Sequence, residues 1–278
     1  MSGPSVKKPI DQSQLKAVLF DLDDTLLVEM ASADAAFMAT CALAKERYGV
    51  DPEVLHRHLR REARTLWYAS PERETIERIS ISHWEGLWAR FEGEEATMVR
   101  LRAWAEPYRQ SAWERGLGAV GVEDPEFAAR LSGEFRRQRE TRHILFEGVS
   151  CLLEQLKGRV KLGLITNGLS CLQREKIAGS GLADYFDTIV IAGDVGLAKP
   201  HSRVFQTALD ALQVAPQEAC MVGNSVKGDI GGAQALGIRA ILIDRGDIHA
   251  PDDSIEPDGV IGHLNQLPRA LESCRDAS

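Results

Sequence analysis

Ala17-Val18-Leu19-Phe20-Asp21-Leu22-Asp23-Asp24-Thr25-Leu26-Leu27 places an apolar run directly before three carboxylates and a hydroxyl. An unbroken apolar run bounded by polar residues reads as a strand buried on both faces, expected from Lys16 to Asp21. The acids then stand where that strand ends. Carboxylates packed together repel and raise one another's pKa values unless a cation intervenes. A fold sets such a group at a strand end for chemistry more often than for stability.

Outward from this stretch the chain changes character twice. From Ser32 to about Arg142 the apolar spacing is helical. One stripe runs through Val54, Leu55, Leu59, Ala63, Leu66 and Trp67, another through Met98, Leu101, Ala105, Tyr108 and Ala112. A third, Phe127, Leu131 and Phe135, follows Asp124-Pro125, with Asp124 as N-cap. Gly116, Gly118 and Gly121 mark a break between two helices. All five tryptophans (Trp67, Trp84, Trp88, Trp104, Trp113) fall here and read as the core of a small helical unit rather than a substrate lining. From Glu147 on, short apolar runs alternate with helical segments. The runs are 160–166, 188–192, 219–223, 240–243 and 259–261, which predicts βαβ units and a doubly wound parallel sheet of the α/β class. The first strand must join that sheet across the helical segment. The expected layout is therefore an α/β core domain from 15–30 and 143–278, an all-helical insertion over 31–142, and a loose N-terminus over 1–14.

The 278 residues, 44% hydrophobic and 27% charged, suit one large or two modest folded domains. A formal charge of −8 argues against a nucleic acid polymer as partner. No apolar run reaches bilayer length and the N-terminus lacks a signal-peptide core, so no membrane association and a cytoplasmic location are expected. The five cysteines are scattered without C-x-x-C spacing and read as reduced thiols. His56, His58 and His83 lack metal-ligand spacing, and Arg136-Arg137-Gln138-Arg139 reads as a solvated helix face. A monomer and a homodimer are equally compatible with the sequence.

In an open parallel sheet, ligands bind beyond the carboxyl ends of the strands. Those ends carry Asp21, Asp23 and Thr25, then Thr166-Asn167-Gly168, then Lys199-Pro200, then Gly223-Asn224-Ser225 and, a turn later, Asp229. Each has a dull reading as a turn, a cap or a solvated charge; the conjunction at successive strand ends points to one site. A calcium loop is excluded, since position six from Asp21 is Leu26 rather than Gly and position twelve is Ser32 rather than Glu.

These residues, in this order, resemble the four motifs of the haloacid dehalogenase (HAD) superfamily, and the helical insertion resembles its C1-type α-helical cap. The resemblance implies a Rossmann-like core and a phosphatase acting on a small phosphorylated metabolite: a sugar phosphate, a phosphoglycolate-like acid or a nucleoside monophosphate. It implies Mg²⁺ held by Asp21, the Asp23 carbonyl and Asn224 or Asp229. Asp21 is then the nucleophile that becomes an aspartyl-phosphate, and Asp23 the proton shuttle. Thr166, Asn167 and Lys199 meet the phosphoryl group, Thr25 braces Asp23, and closure of the cap excludes water. Asn224 departs from the usual Gly-Asp of the fourth motif and weakens the metal site. It keeps two alternatives in play: a metal-independent 2-haloacid dehalogenase, which has no use for Asp23, and a catalytically silent binding protein of the same fold.

Overall fold

The computed structural model describes residues 5–6, 15–79, 81–246 and 254–272. Its strands are β1 (Ser5–Val6), β2 (Ala17–Phe20), β3 (Lys161–Thr166), β4 (Thr188–Ile191), β5 (Ala219–Gly223), β6 (Arg239–Ile243) and β7 (Gly259–Ile261). They form a seven-stranded sheet in the order β1-β7-β6-β5-β2-β3-β4. Every neighbouring pair is parallel except β1 with β7. The expected α/β parallel sheet is therefore present, and the strand at the acidic stretch is its centre. Ala17 to Phe20 are all fully buried, as their unbroken apolar character requires. The chain builds outward from β2 to β3 and β4 on one side, then returns to β5 on the other. The strand order thus reverses between β2 and β5, the point at which open sheets of this kind take their ligands. The loose terminus expected over 1–14 lies outside the described residues, apart from Ser5 and Val6, as does Cys274.

The helices among the described residues are α1 (Glu29–Tyr48), α2 (Pro52–Tyr68), α3 (Arg73–Ile79), α4 (His83–Gly86), α5 (Ala96–Gly118) and α6 (Pro125–Thr141). They continue with α7 (Val149–Leu156), α8 (Ser170–Gly179), α9 (Ala192–Val195), α10 (Ser202–Leu212), α11 (Gly232–Gln234) and α12 (Leu267–Glu272). None is long and apolar enough to cross a membrane. The chain divides into two compact units, Met1–Val28 with Leu145–Asn167 and Gly181–Ser278, and Glu29–Ile144 with Gly168–Ser180. The first holds the sheet.

The second unit is helical and has its own apolar core. Trp67, Trp88, Trp113, Phe37, Phe127 and Phe135 are buried in it, and Leu169, Cys171 and Leu172 of the 168–180 segment join the same cluster. Asp51 and Asp124 cap α2 and α6, accepting from Val54 N at 3.2 Å and Phe127 N at 3.0 Å. Gly116 lies inside α5 rather than at a break. A Cβ there would come within 3.2 Å of the Leu59 backbone, so α2 and α5 approach closely because Gly116 has none.

This core also contains charge. Arg139 is fully buried, its Nη2 3.0 Å from both oxygens of Glu29. Lys176, also fully buried, lies 2.7 Å from Glu85 and 3.4 Å from Glu29. The arginine-rich stretch is therefore not a uniform solvated face. Arg137 is exposed and pairs with Glu134, whereas Arg139 shares the inward face of Phe135 and finds a carboxylate waiting there. His56 packs flat on Phe37, with ring centroids 4.7 Å apart.

Candidate active site

The β2 strand runs straight into a tight turn. Leu26 N and Leu27 N both donate to Leu22 O, at 2.9 and 3.0 Å, and Asp24 N donates to Leu27 O at 2.7 Å. Closing this turn puts Asp24 at φ +57°, a left-handed conformation that Asp tolerates better than most residues. Asp24, exposed and without a chemical task in the sequence, thereby acquires a conformational one. The turn folds Thr25 back under the strand end, where its hydroxyl donates to Asp21 Oδ2 at 2.9 Å. Thr25 thus braces Asp21 and not, as expected, Asp23.

The other oxygen of Asp21 receives the ammonium of Lys199. Nζ lies 2.6 Å from Asp21 Oδ1, 2.7 Å from Asp229 Oδ1 and 2.8 Å from Ile165 O. Asp21 and Ile165 accept hydrogen bonds from the ammonium, and Asp229 holds it as an ion pair. The Lys199 backbone is gripped in turn: its N donates to Asn167 Oδ1 at 2.8 Å and its carbonyl accepts from Asn167 Nδ2 at 3.3 Å. Asn167, expected at the phosphate, spends its side-chain amide on the lysine loop. Thr166 is buried at the end of β3, its hydroxyl donating to Asn167 O at 3.2 Å.

Asp229 comes from the π-helical turn Val226–Gly231 that follows β5. The wider turn re-aims its side chain, as single π turns at ligand sites often do. Its Oδ2 accepts from Ser225 N at 2.9 Å. Gly223 makes this possible, because a Cβ there would overlap the Asp229 carboxylate. Asn224 stands at the same edge with Oδ1 3.5 Å from the Thr25 hydroxyl. One lysine is thus shared by two buried carboxylates, Asp21 and Asp229. Burial pushes the Asp21 carboxyl up to about 7, with Lys199 opposing and Asp229 and Asp23 adding to the rise. Burial alone would lower Lys199, but the two carboxylates more than reverse it and hold the ammonium charged.

The side chains at this edge that could hold a metal present oxygen: the carboxylates of Asp21 and Asp229 and the amide oxygen of Asn224. That donor set suits a small hard cation. Among the described residues no group of three or more His, Cys, Asp and Glu side chains converges as an all-protein cage.

One contributor escaped the sequence reading. Arg245, just past the end of β6, donates from Nη1 to Asp24 O at 2.7 Å and from Nη2 to Thr25 O at 3.0 Å. Its guanidinium lies 3.5 Å from the centre of the Phe146 ring. The rule that singled out the other strand ends applies to this one too, since Asp244-Arg245 terminates a parallel strand.

The sequence profile of the haloacid dehalogenase-like hydrolases matches residues 15–237. The chain is 37% identical to phosphoserine phosphatase of Thermus thermophilus over 91% of its own length and 98% of that protein. It is 26% identical to N-acylneuraminate-9-phosphatase of Mus musculus, covering 94% and 95% of the two chains. A solved 2-haloacid dehalogenase from Pseudomonas syringae pv. Tomato superposes with a TM-score of 0.57 at 28% identity, over 93% of this chain and 99% of that one. The sheet, its strand-end residues and these matches define an enzyme class. The chain belongs to the haloacid dehalogenase-like hydrolase family.

Proposed function

We propose that this protein is a Mg²⁺-assisted phosphomonoesterase acting on a small phosphorylated metabolite. The observation that carries the reading is the pairing of Asp21 and Asp23 on one tight turn in unlike surroundings. Asp21 is buried with both oxygens hydrogen-bonded, while Asp23 is partly exposed yet near enough to raise Asp21's pKa. Two carboxylates in different environments divide a reaction between them.

Asp21 attacks phosphorus, forming an acyl-phosphate bond as the ester P–O bond breaks. Asp23 gives its proton to the departing alkoxide. Water then attacks the phosphorus of the aspartyl-phosphate, Asp23 takes its proton, and phosphate leaves with the Asp21 carboxylate restored. Lys199, anchored on Asp21, Asp229 and Ile165, fixes the nucleophile's orientation and offsets its charge. Thr166 and backbone N–H groups of its loop hold the phosphoryl oxygens, and Asn167 supports them by positioning Lys199. Asp21, the Asp23 carbonyl and Asn224 would hold Mg²⁺, which when bound would supply the positive charge that offsets the repulsion between an anionic nucleophile and an anionic ester. Asp229, whose oxygens go to Lys199 and Ser225, acts through the lysine.

The likeness to a dehalogenase favours a second reading, carboxylate attack on a 2-haloacid carbon without metal. Such a reaction leaves Asp23 idle. Phosphate release from para-nitrophenyl phosphate, dependent on Mg²⁺ and stopped by chelator, is the expected result. Halide release from 2-chloropropionate in chelator, with no phosphate release, sinks the proposal in favour of the second reading. A panel that includes phosphoserine, sugar phosphates, phosphoglycolate and nucleoside monophosphates then narrows the substrate.

Two substitutions test the parts. Asn224→Asp adds a charge beside the cation, and the Mg²⁺ concentration for half-maximal rate should fall about tenfold. An unchanged value removes Asn224 from the metal shell. Arg245→Met releases the two carbonyls of the turn that carries Thr25. Loosening a nucleophile's mount lowers kcat by about 10- to 100-fold while KM stays within about twofold. Arg245→Lys should rescue little, because a point charge cannot bridge two carbonyls as a fork does.

A further inference from the structure

The helical unit contains a cleft of about 230 Å³ between α5 and α6, lined by residues that include Glu106, Arg109, Gln110, Ser132, Gly133 and Arg136. None of them belongs to the Asp21 centre. Two guanidiniums border this one space, Arg109 paired with the Glu106 carboxylate that also lines it and Arg136 with Glu140 and Glu175.

Their hydrogen bonds divide the roles. Arg109 is buried and fixed: Nε donates to Gly86 O at 3.2 Å, Nη1 to Glu106 at 3.0 Å, and Nη2 to Ala89 O. Arg136 is tethered only at Nε, 3.2 Å from Glu140. Its Nη2 is buried and has no hydrogen-bond partner among the described residues, though it forms a longer ion pair with Glu175 Oε1 at 3.9 Å. A buried charged donor left without a hydrogen bond costs about 1–3 kcal/mol or more. Burial lowers Arg109's pKa, the Glu106 carboxylate opposes that fall, and the positive charge of Arg136 adds to it.

The third observation concerns Gly133. It lies inside α6 on ordinary helical backbone, and a Cβ there would meet nothing within 4 Å. Glycine in a helix interior is destabilising relative to alanine by about 0.5–1 kcal/mol. No close packing explains it. Its missing side chain keeps the cleft open beside the Ser132 hydroxyl.

We propose that this cleft binds a small oxyanion, phosphate or carboxylate, on the Arg136 guanidinium. Planar forked donors match both groups, and a charge-assisted bond of this kind is about twice as strong as a neutral one. The proposal does not depend on the chemistry assigned to Asp21.

The test is calorimetric titration of the whole protein with inorganic phosphate at constant ionic strength. It compares wild type with Arg136→Gln, which removes the charge, and Gly133→Met, which fills the space. Both variants should weaken one phosphate site by about tenfold or more, the effect of losing a charge-assisted contact. A phosphate site at the Asp21 centre would survive in both. Gly133→Met should fold at least as stably as wild type, so a loss of binding there is not a loss of structure. Competition by malonate assigns the cleft to carboxylates, and its failure assigns it to phosphate. Isotherms identical to wild type in both variants overturn the proposal.

Discussion

Asp21→Asn should abolish turnover while leaving a protein that melts at or above the wild type in chelator. The rate falls by about 10³-fold or more, because an amide cannot form the acyl-phosphate and nothing else at the strand end replaces it. The stability half follows from charge. Without a cation, Asp21, Asp229 and Lys199 bury two negative charges against one positive. Asparagine is nearly isosteric and leaves one of each. Folding raises the Asp21 pKa from its ordinary 3.8 to about 7, with burial the largest cause. Between those values the folded state binds more protons than the unfolded one, so this group's contribution falls as pH rises from about 4 to about 7 and is flat above. The gap in melting temperature between variant and wild type should therefore widen across that window. Chemical denaturation or melting at several pH values in chelator, alongside phosphate release in Mg²⁺, measures both halves. A variant that retains turnover removes Asp21 as nucleophile. One that loses stability progressively towards pH 7 means that the carboxylate is held by more than Lys199 and Thr25.

The core and the members of its site were legible because two strong regularities coincide. Strands buried on both faces leave unbroken apolar runs, and Leu162–Thr166 or Ala219–Gly223 could hardly be read otherwise. Ligand sites on such sheets lie at strand ends, so charges there are candidates before any contact is known. Pairings within the site followed no such rule. That Thr25 serves Asp21, that Asn167 serves the Lys199 backbone, and that Arg245 ties down the Asp24–Thr25 carbonyls depend on how loops fold back. Residues up to 221 positions apart meet there. The π turn that aims Asp229 is equally silent, because Val226-Lys227-Gly228-Asp229-Ile230-Gly231 has the composition of an ordinary helix start. In the helical unit, periodicity located the stripes but misjudged Arg139. A basic residue on an apolar face looks like a solvated charge until Glu29, 110 positions away, is known to face it.

That last pair carries the second large effect. Arg139→Met should destabilise the helical unit by about 3–5 kcal/mol, the cost of stranding one partner of a buried ion pair. Glu29, Glu85, Arg139 and Lys176 sum to zero charge, all buried. Removing the guanidinium leaves two carboxylates facing one ammonium, and also frees the Arg142 carbonyl, to which Arg139 Nη1 donates at 3.0 Å. The Trp88 ring, 4.8 Å from the guanidinium, loses its cation as well. Lys176 remains 3.4 Å from Glu29, but its shorter contact is to Glu85, which also holds the start of α4 by accepting from Ser82 N at 2.8 Å. It cannot serve both carboxylates equally well. Replacing both members, Arg139→Met with Glu29→Gln, restores neutrality at nearly constant volume, so the double variant should be more stable than Arg139→Met alone by about 1–3 kcal/mol. All five tryptophans belong to this unit, so denaturation followed by tryptophan fluorescence reports on it specifically. If the double variant is no more stable than Arg139→Met, the loss arises from packing around the guanidinium and not from the stranded charge. If it recovers, Glu29 and Arg139 act as a clasp. They join the first residue of the unit to its last long helix, and the charges are there because each needs the other.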